Sequence, residues 1–182
     1  TNSPYYLYVI ADDGTLLGKH SVEHRYNNLQ LNSKGQLFNN SYVLNTRGEV
    51  LEDLSPLGIN GTVVLDNEDN FYSFGYQYFQ GKVIEVYSGR TRKLVKSITV
   101  PQGDTGQTLA VNSLGYMAFI TGLDGFLINP SGTVIKHFEG LPRFSKFYFS
   151  RDGQSFYFIK YNAKDILRYN LDGDLTNSFP IT

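Results

Sequence analysis

The chain contains no cysteine and no tryptophan, only one methionine and only six prolines in 182 residues. Without cysteine there are no disulfides, no thiolate nucleophile and no thiolate metal ligands, a composition compatible with either a reducing or an oxidising compartment. Charge of one sign is also lacking: 16 basic and 17 acidic residues leave a net charge of −1. A partner such as nucleic acid or an anionic membrane surface is therefore not expected. The longest apolar runs, such as Leu7 to Ala11 and Thr62 to Leu65, fall far short of the roughly 20 residues that span a bilayer. No stretch of ten or more residues keeps a helical period, so helix is predicted to be nearly absent. Signatures of turnover are missing as well, with no serine framed as a nucleophile elbow, no glycine-rich phosphate cradle after a strand and no placeable pair of carboxylates.

What the chain has is aromatic residues and glycine, 14 Tyr, 13 Phe and 18 Gly. They recur in order. Residues 147–158, FYFSRDGQSFYF, alternate in side-chain facing on either side of a Ser-Arg-Asp-Gly turn and read as a β-hairpin. The same unit occurs upstream as LQLNSKGQLF, TVVLDNEDNFYSF and TLAVNSLGYMAF, with turns around Gly35, Asp69, Gly115 and Gly153. A second turn alternates with it, marked by Gly14, Gly48, Gly89, Gly132 and Gly173, which stand 34, 41, 43 and 41 residues apart. Together the two marks define a four-strand unit repeated about every 40 residues. The units are joined by proline-bearing links at Pro56, Pro101 and Pro142, since proline removes a donor and sits between sheets better than within one.

Such a period with four strands per repeat is the mark of a β-propeller. Phe147 to Phe158 followed by Leu167 to Gly173 resembles the SPDG…lyf…iy..dldG pattern of the TolB and YVTN class of bacterial propellers, with Ser150-Arg151 where that pattern has Ser-Pro. Gly61 to Asp66 with Asn70-Phe71-Tyr72 looks like the NHL or SMP-30 form of the same fold. The resemblance implies an all-β fold of about four four-stranded antiparallel blades plus an extra N-terminal hairpin, possible as a partial propeller. One domain is expected over residues 1–182: an outer hairpin of an incomplete blade at 1–24, then blades at 25–55, 59–100, 104–140 and 143–182. It implies little about activity, because these families include scaffolds, lyases, lactonases and peptidase-associated domains. The N-terminal pair matches only the outer half of a unit, while the last unit already has four strands. The missing inner strands are therefore expected from residues outside the sequence or from a partner.

Candidate site residues are few. Asp66-Asn67-Glu68-Asp69-Asn70 is the densest oxygen cluster, but it lacks the central glycine and distal glutamate of a calcium loop and occupies a turn position. Asp66, Asp69 and Asn112 stand as weak candidates for a divalent metal, calcium being the ion considered, and no cofactor is predicted. Asn32, Asp66, Asn112 and Ser150 fall at equivalent places, where they either ring a channel or bond their own turns, and the turn role is the ordinary one for such side chains. His20 and His24 lie four apart at a strand end, a spacing meaningful for metal only on a helix, and His137 sits beside Lys136 and Glu139 on an outer strand. Arg90, Arg92, Lys93 and Lys96 read as a solvated basic face.

Gly75-Tyr76-Gln77-Tyr78-Phe79-Gln80-Gly81 reads as a long aromatic connection, and rigid rings on a projecting loop suit contact with protein or glycan. Tyr76, Tyr78 and Phe79 are the predicted partner contacts, the partner being another protein chain or a second copy. Abundant Tyr, Asn and Gly, with Thr1 in first place where a removed signal peptide or a cut would leave it, point to the periplasm, cell envelope or exterior. The functional expectation is a non-catalytic binding or assembly module. The alternative is a lactonase, lyase or hydrolase with a divalent ion in a central channel.

Overall fold

The computed structural model describes residues 5–11, 13–22, 29–38, 42–59, 62–77, 81–100, 107–142, 145–160 and 164–181. Apart from one 3₁₀ turn at Ser55–Leu57, the regular structure of these residues is all β. β1 (Tyr5–Ile10) and β2 (Leu16–Val22) form a two-stranded sheet. Four four-stranded antiparallel sheets follow. The first has β3 (Gln30–Leu31), β4 (Leu37–Phe38), β5 (Tyr42–Leu44) and β6 (Val50–Asp53), and the second β7 (Thr62–Leu65), β8 (Phe71–Gln77), β9 (Gly81–Tyr87) and β10 (Leu94–Thr99). The third has β11 (Gln107–Val111), β12 (Met117–Thr121), β13 (Asp124–Ile128) and β14 (Val134–Phe138), and the fourth β15 (Lys146–Phe149), β16 (Ser155–Ile159), β17 (Asp165–Asn170) and β18 (Leu175–Pro180). Every sheet is a simple meander, so spatial order within a blade equals chain order.

Two local devices explain why the same blade recurs. At the inner turn the chain closes with a residue of positive φ, Gly35, Gly115 and Gly153 at 73°, 78° and 70°, with Asp69 taking the same conformation at 61°. An aspartate tolerates it because its short polar side chain can bond locally. At the outer turn each hairpin slips register by one residue in the same way. Ile10 faces Leu16 but Val9 faces Gly18, and Leu44 faces Val50 but Val43 faces Glu52. Tyr87, Ile128 and Tyr169 repeat this against Leu94, Val134 and Leu175. Such a bulge bends the outer strand and increases its twist.

The blades pack face on face. The inner strands lie in sequence, β7 against β11 and β11 against β15, and three clusters of buried side chains lie between successive blades among the described residues. Phe38 and Val43 of the first blade meet Val63, Phe71 and Tyr87 of the second, with Phe71 and Tyr87 stacked at 5.0 Å. Val64, Tyr72, Phe74, Ile84 and Val86 on the other face of the second blade meet Leu109, Met117, Phe119, Phe126 and Ile128 of the third. Ala118, Ile120 and Leu127 meet Phe147, Phe156 and Phe158 of the fourth. Each complete blade in the middle is apolar on both faces, as a strand covered on two sides must be.

Some boundaries differ from the sequence reading for identifiable reasons. The Gly75 to Gly81 segment is shorter as a connection than expected, because Tyr76 pairs with Lys82 and Gln77 with Gly81 as continuations of β8 and β9. β13 starts at Asp124, since Gly122 at φ 60° lets Thr121 and Asp124 face each other across a tight turn. Gly89 does not take the left-handed conformation at its turn, and Arg92 does, at φ 57°. Gly89 is small for another reason: a Cβ there would lie 2.1 Å from the Asp69 carbonyl oxygen. Pro180 ends an outermost strand, where its missing N–H costs nothing on the solvent side.

Candidate interaction surfaces

The polar positions aligned at the inner turns serve those turns. Asn32 Oδ1 accepts from the backbone N–H of Lys34 and Gln36 at 3.0 and 2.8 Å. Asp66 Oδ1 accepts from Glu68 and Asn70, both at 2.9 Å. Asn112 Oδ1 accepts from Leu114 and Tyr116 at 3.0 and 2.8 Å, and Ser150 Oγ accepts from Ser155 N–H at 3.0 Å. Other polar groups tie blades together. The buried Asn112 Nδ2 donates to Gly153 O at 2.7 Å, Asp69 accepts from Ser33 N–H and Oγ at 2.8 and 2.6 Å, and Arg92 holds Glu52 through Nε and Nη2 at about 3 Å.

Electrostatics follow from these pairings. Burial raises the pKa of the Asp69 carboxyl, but the Ser33 hydroxyl and N–H together with nearby Lys34 and Arg92 outweigh it, and the net result is below the ordinary carboxylate value. Burial, with the Asp66 carboxylate accepting its hydroxyl, pushes Tyr72 up to about 12. Burial beside Glu85 does the same to Tyr87. Among the described residues no group of three or more His, Asp or Glu side chains gathers where a metal ion could be held. Asp66 bonds its own turn, Asp69 bonds Ser33 of the first blade and Asn112 bonds both its own turn and Gly153. His20 ends up on β2 and His24 lies outside the described residues. His137 stacks on Phe126 at 4.5 Å and reaches Asp124 at 3.2 Å. Tyr78 and Phe79 lie outside the described residues, and Tyr76 is placed only as part of β8.

Two clefts lie at blade seams. One of about 230 Å³ between the second and third blades is lined by Tyr72, Val86, Ile98, Met117, Pro130 and the Lys96 side chain, whose ammonium bonds Pro130 O. The other, about 300 Å³, lies at the inner turns beside Asn67, Asn112, Ser113, Tyr148 and Arg151. Neither gathers an acid, a base and a nucleophile.

A chemically distinct surface is the outer face of the fourth blade. Its positions correspond to those that every earlier blade buries against its successor. Tyr148 stands where the second and third blades have Val64 and Ala110, Tyr157 where they have Tyr72 and Ala118, and Ile159 where they have Phe74 and Ile120. Phe74 and Ala118 are 0% and 1% exposed, whereas Tyr148 is 50% exposed. Tyr148 pairs across strands with Tyr157, Ile159 with Ile166, and Ile166 with Phe179, giving a continuous apolar patch. Arg168 crosses its centre 6.0 Å from the Tyr157 ring, with Nε donating to Ser155 Oγ at 3.0 Å. The signal for this face was already in the sequence: β16 is apolar at both alternations, the pattern of a strand covered on two sides.

Comparison with solved structures fits this arrangement. The chain covers 91% of itself on 58% of a chain in the complex of KlAtg21 with the coiled-coil of AgAtg16, at 12% identity and TM-score 0.64. It covers 97% of itself on 62% of streptogramin B lyase, at 12% identity and TM-score 0.62. It also matches a protein of unknown function from Bacteroides caccae over 94% of its own length and 73% of that chain, at 11% identity and TM-score 0.55. The fold is that of β-propeller blades. The chain spans less than two thirds of the length of the first two of these proteins. No family model matches it, and no curated protein does. The propeller neighbours include both a protein seen with a coiled-coil partner and a lyase, so the likeness defines architecture and leaves function to the surfaces. No helix among the described residues is long and apolar enough to cross a membrane.

Proposed function

We propose that this chain is a protein-binding or assembly module, and that the outer face of the fourth blade is its principal contact surface. The observation that carries the reading is a face on which Tyr148 and Phe179 are exposed and Tyr157, Ile159 and Ile166 only half-buried, where the counterparts Tyr72, Phe74, Ala118 and Ile120 in the preceding blades are buried. Exposed contiguous apolar surface of this kind marks contact sites. Tyrosine with one central arginine is the composition that dominates binding energy at protein interfaces. The hydrogen bonds of the aligned turn residues support the same reading, because they engage the groups that a channel-centred enzyme would present. The setting is the cell envelope or exterior.

The test is site-specific photocrosslinking in the native source, with a photoreactive residue at Tyr148 or Ile159 and, as control, at the exposed outer-strand position Val95. A discrete polypeptide adduct at the first two positions and none at the third is expected. Adducts indistinguishable between face and control overturn the reading, and so does a stoichiometric divalent ion in the purified protein together with hydrolase or lyase turnover.

A further inference from the structure

Arg90, Arg92, Lys93 and Lys96 read from the sequence as one basic face, but the second blade turns two of them to opposite sides. Arg92 reaches the first blade, where its guanidinium bonds Glu52 and its central carbon lies 5.2 and 5.7 Å from the ring centres of Phe38 and Phe71. Lys96 lies toward the third blade, at the seam cleft of about 230 Å³.

The two seams follow one plan. By strand register, Phe38, Val43, Glu52 and Phe71 hold at the first seam the places that Tyr72, Val86, Lys96 and Met117 hold at the second. At the first seam the slot between these side chains is plugged by Arg92, the left-handed residue of the second blade's outer turn, at φ 57°. The matching residue of the third blade is Gly132, at φ 94°, since each stands just before the residue whose carbonyl closes its turn, Lys93 and Thr133. Glycine has no side chain to insert, and the second slot stays open. At the third seam the turn residue is again glycine, Gly173, but it sits directly on the lysine stem: a Cβ there would lie 2.7 Å from the Lys136 Cβ.

The charge at the slot is also inverted, from Glu52 to Lys96. Among the described residues the Lys96 ammonium bonds only Pro130 O, so two of its three donors are unused. The other end of the cleft is acidic and already satisfied. Asp66 accepts from the Tyr72 hydroxyl at 3.3 Å, and Asn70 Nδ2 donates to both Asp66 and Glu68.

We propose that this cleft binds a small aromatic carboxylate, with the carboxylate on Lys96 and the ring over Val86, Ile98 and Met117. The first seam is the internal template: a flat charged group held among apolar side chains against one opposite charge. An apolar cavity of about 150 Å³ is enough for benzene, so a cleft of about 230 Å³ accommodates one ring with its carboxylate. The acidic end sets the orientation, because an anion is repelled from Asp66 and Glu68 and attracted to the lysine. This site is separate from the fourth-blade face, and each can fail without the other.

The test is isothermal titration calorimetry at constant ionic strength with benzoate, its neutral analogue benzamide and its cationic analogue benzamidinium. Saturable binding of benzoate is expected, tighter than benzamide by about tenfold or more, the factor that one charge-assisted bond supplies. Lys96→Met keeps the stem without the charge and should lose that preference. Lys96→Glu restores the charge of Glu52 and should transfer binding to benzamidinium. Lys93→Met, on the same hairpin but off the cleft, should bind benzoate as the parent does. Melting of each variant within a few degrees of the parent checks that the seam is intact. The proposal is overturned if the parent shows no saturable benzoate binding, binds benzamide or benzamidinium as tightly, or loses no affinity in Lys96→Met. It is equally overturned if Lys96→Glu still prefers benzoate or Lys93→Met loses as much as Lys96→Met. None of these outcomes bears on crosslinking at Tyr148 or Ile159.

Discussion

Replacing Asn112 tests how the blades are held in register. Its side chain is 4% exposed and makes three bonds: two accepted from the turn N–H groups of Leu114 and Tyr116, and one donated at 2.7 Å across the seam to Gly153 O. Asn112→Ala removes all three. A net hydrogen bond contributes about 1 kcal/mol, and a buried carbonyl left without a partner costs about 1–3 kcal/mol. The two turn bonds and the orphaned Gly153 carbonyl together come to about 3–5 kcal/mol. For a chain of this size each kcal/mol moves the melting temperature by about 2–4 °C, so the variant should melt about 10 °C lower. Asn129 supplies the control, because it holds an outer turn with bonds from Thr133 N–H and Ser131 Oγ but is only half-buried, and these bonds stay within its own blade. Asn129→Ala should cost about 1 kcal/mol or less. Asn112→Asp keeps the acceptor oxygen but turns a second acceptor toward Gly153 O. Only the protonated carboxyl can donate there, so that variant should gain stability on acidification and lose it as pH rises. Thermal denaturation by circular dichroism at several pH values measures all three. Asn112→Ala and Asn129→Ala melting within 2 °C of each other would refute the claim that the inter-blade bond matters.

Other consequences follow from the same geometry. Phe158 and Ile159 are neighbours on β16 facing opposite ways, so Phe158→Ala should cost about 3–5 kcal/mol and Ile159→Ser within about 1 kcal/mol in denaturant titrations, because only the first faces another blade. Gly89→Ala should destabilise by about 1–3 kcal/mol, since a Cβ would overlap the Asp69 carbonyl; a neutral effect by calorimetry would show that the turn relaxes freely. Tyr72 and Tyr87 should ionise only near pH 12, well above the ordinary tyrosine value of 10, in an alkaline absorbance titration. Their folded values are raised above the ordinary value of 10, so the stability they contribute is intact below pH 10 and is lost as pH climbs toward 12. Tyr72→Phe should remove one late-titrating group. The Arg92–Glu52 pair is partly exposed on both sides, and Glu52→Gln should cost no more than about 1 kcal/mol, less in high salt.

The fold was largely legible because each blade states the same instructions in composition. Turn glycines, the Asx residues before them and alternating Phe and Tyr recur at one spacing, and local chemistry alone places most strands. Gly89 misled for a physical reason: a glycine required by close approach looks the same in sequence as one required by backbone conformation, and Arg92 took the left-handed position. The aromatic run from Gly75 reads as a loop because two glycines bracket it, whereas cross-strand pairing of Gln77 with Gly81 extends the sheet. The fourth-blade face could be read only by comparing blades: Tyr148 and Ile159 look like core residues, and exposure is a property of a neighbour that is not there to be read in the residue itself.

Because every blade rests only on the ones beside it, stability in this molecule is a chain of nearest-neighbour terms and not one indivisible whole. Among the described residues the second and third blades are each gripped from two sides, so a fault in either loosens two seams at once, and a companion that bridged one seam would steady both of the blades that share it.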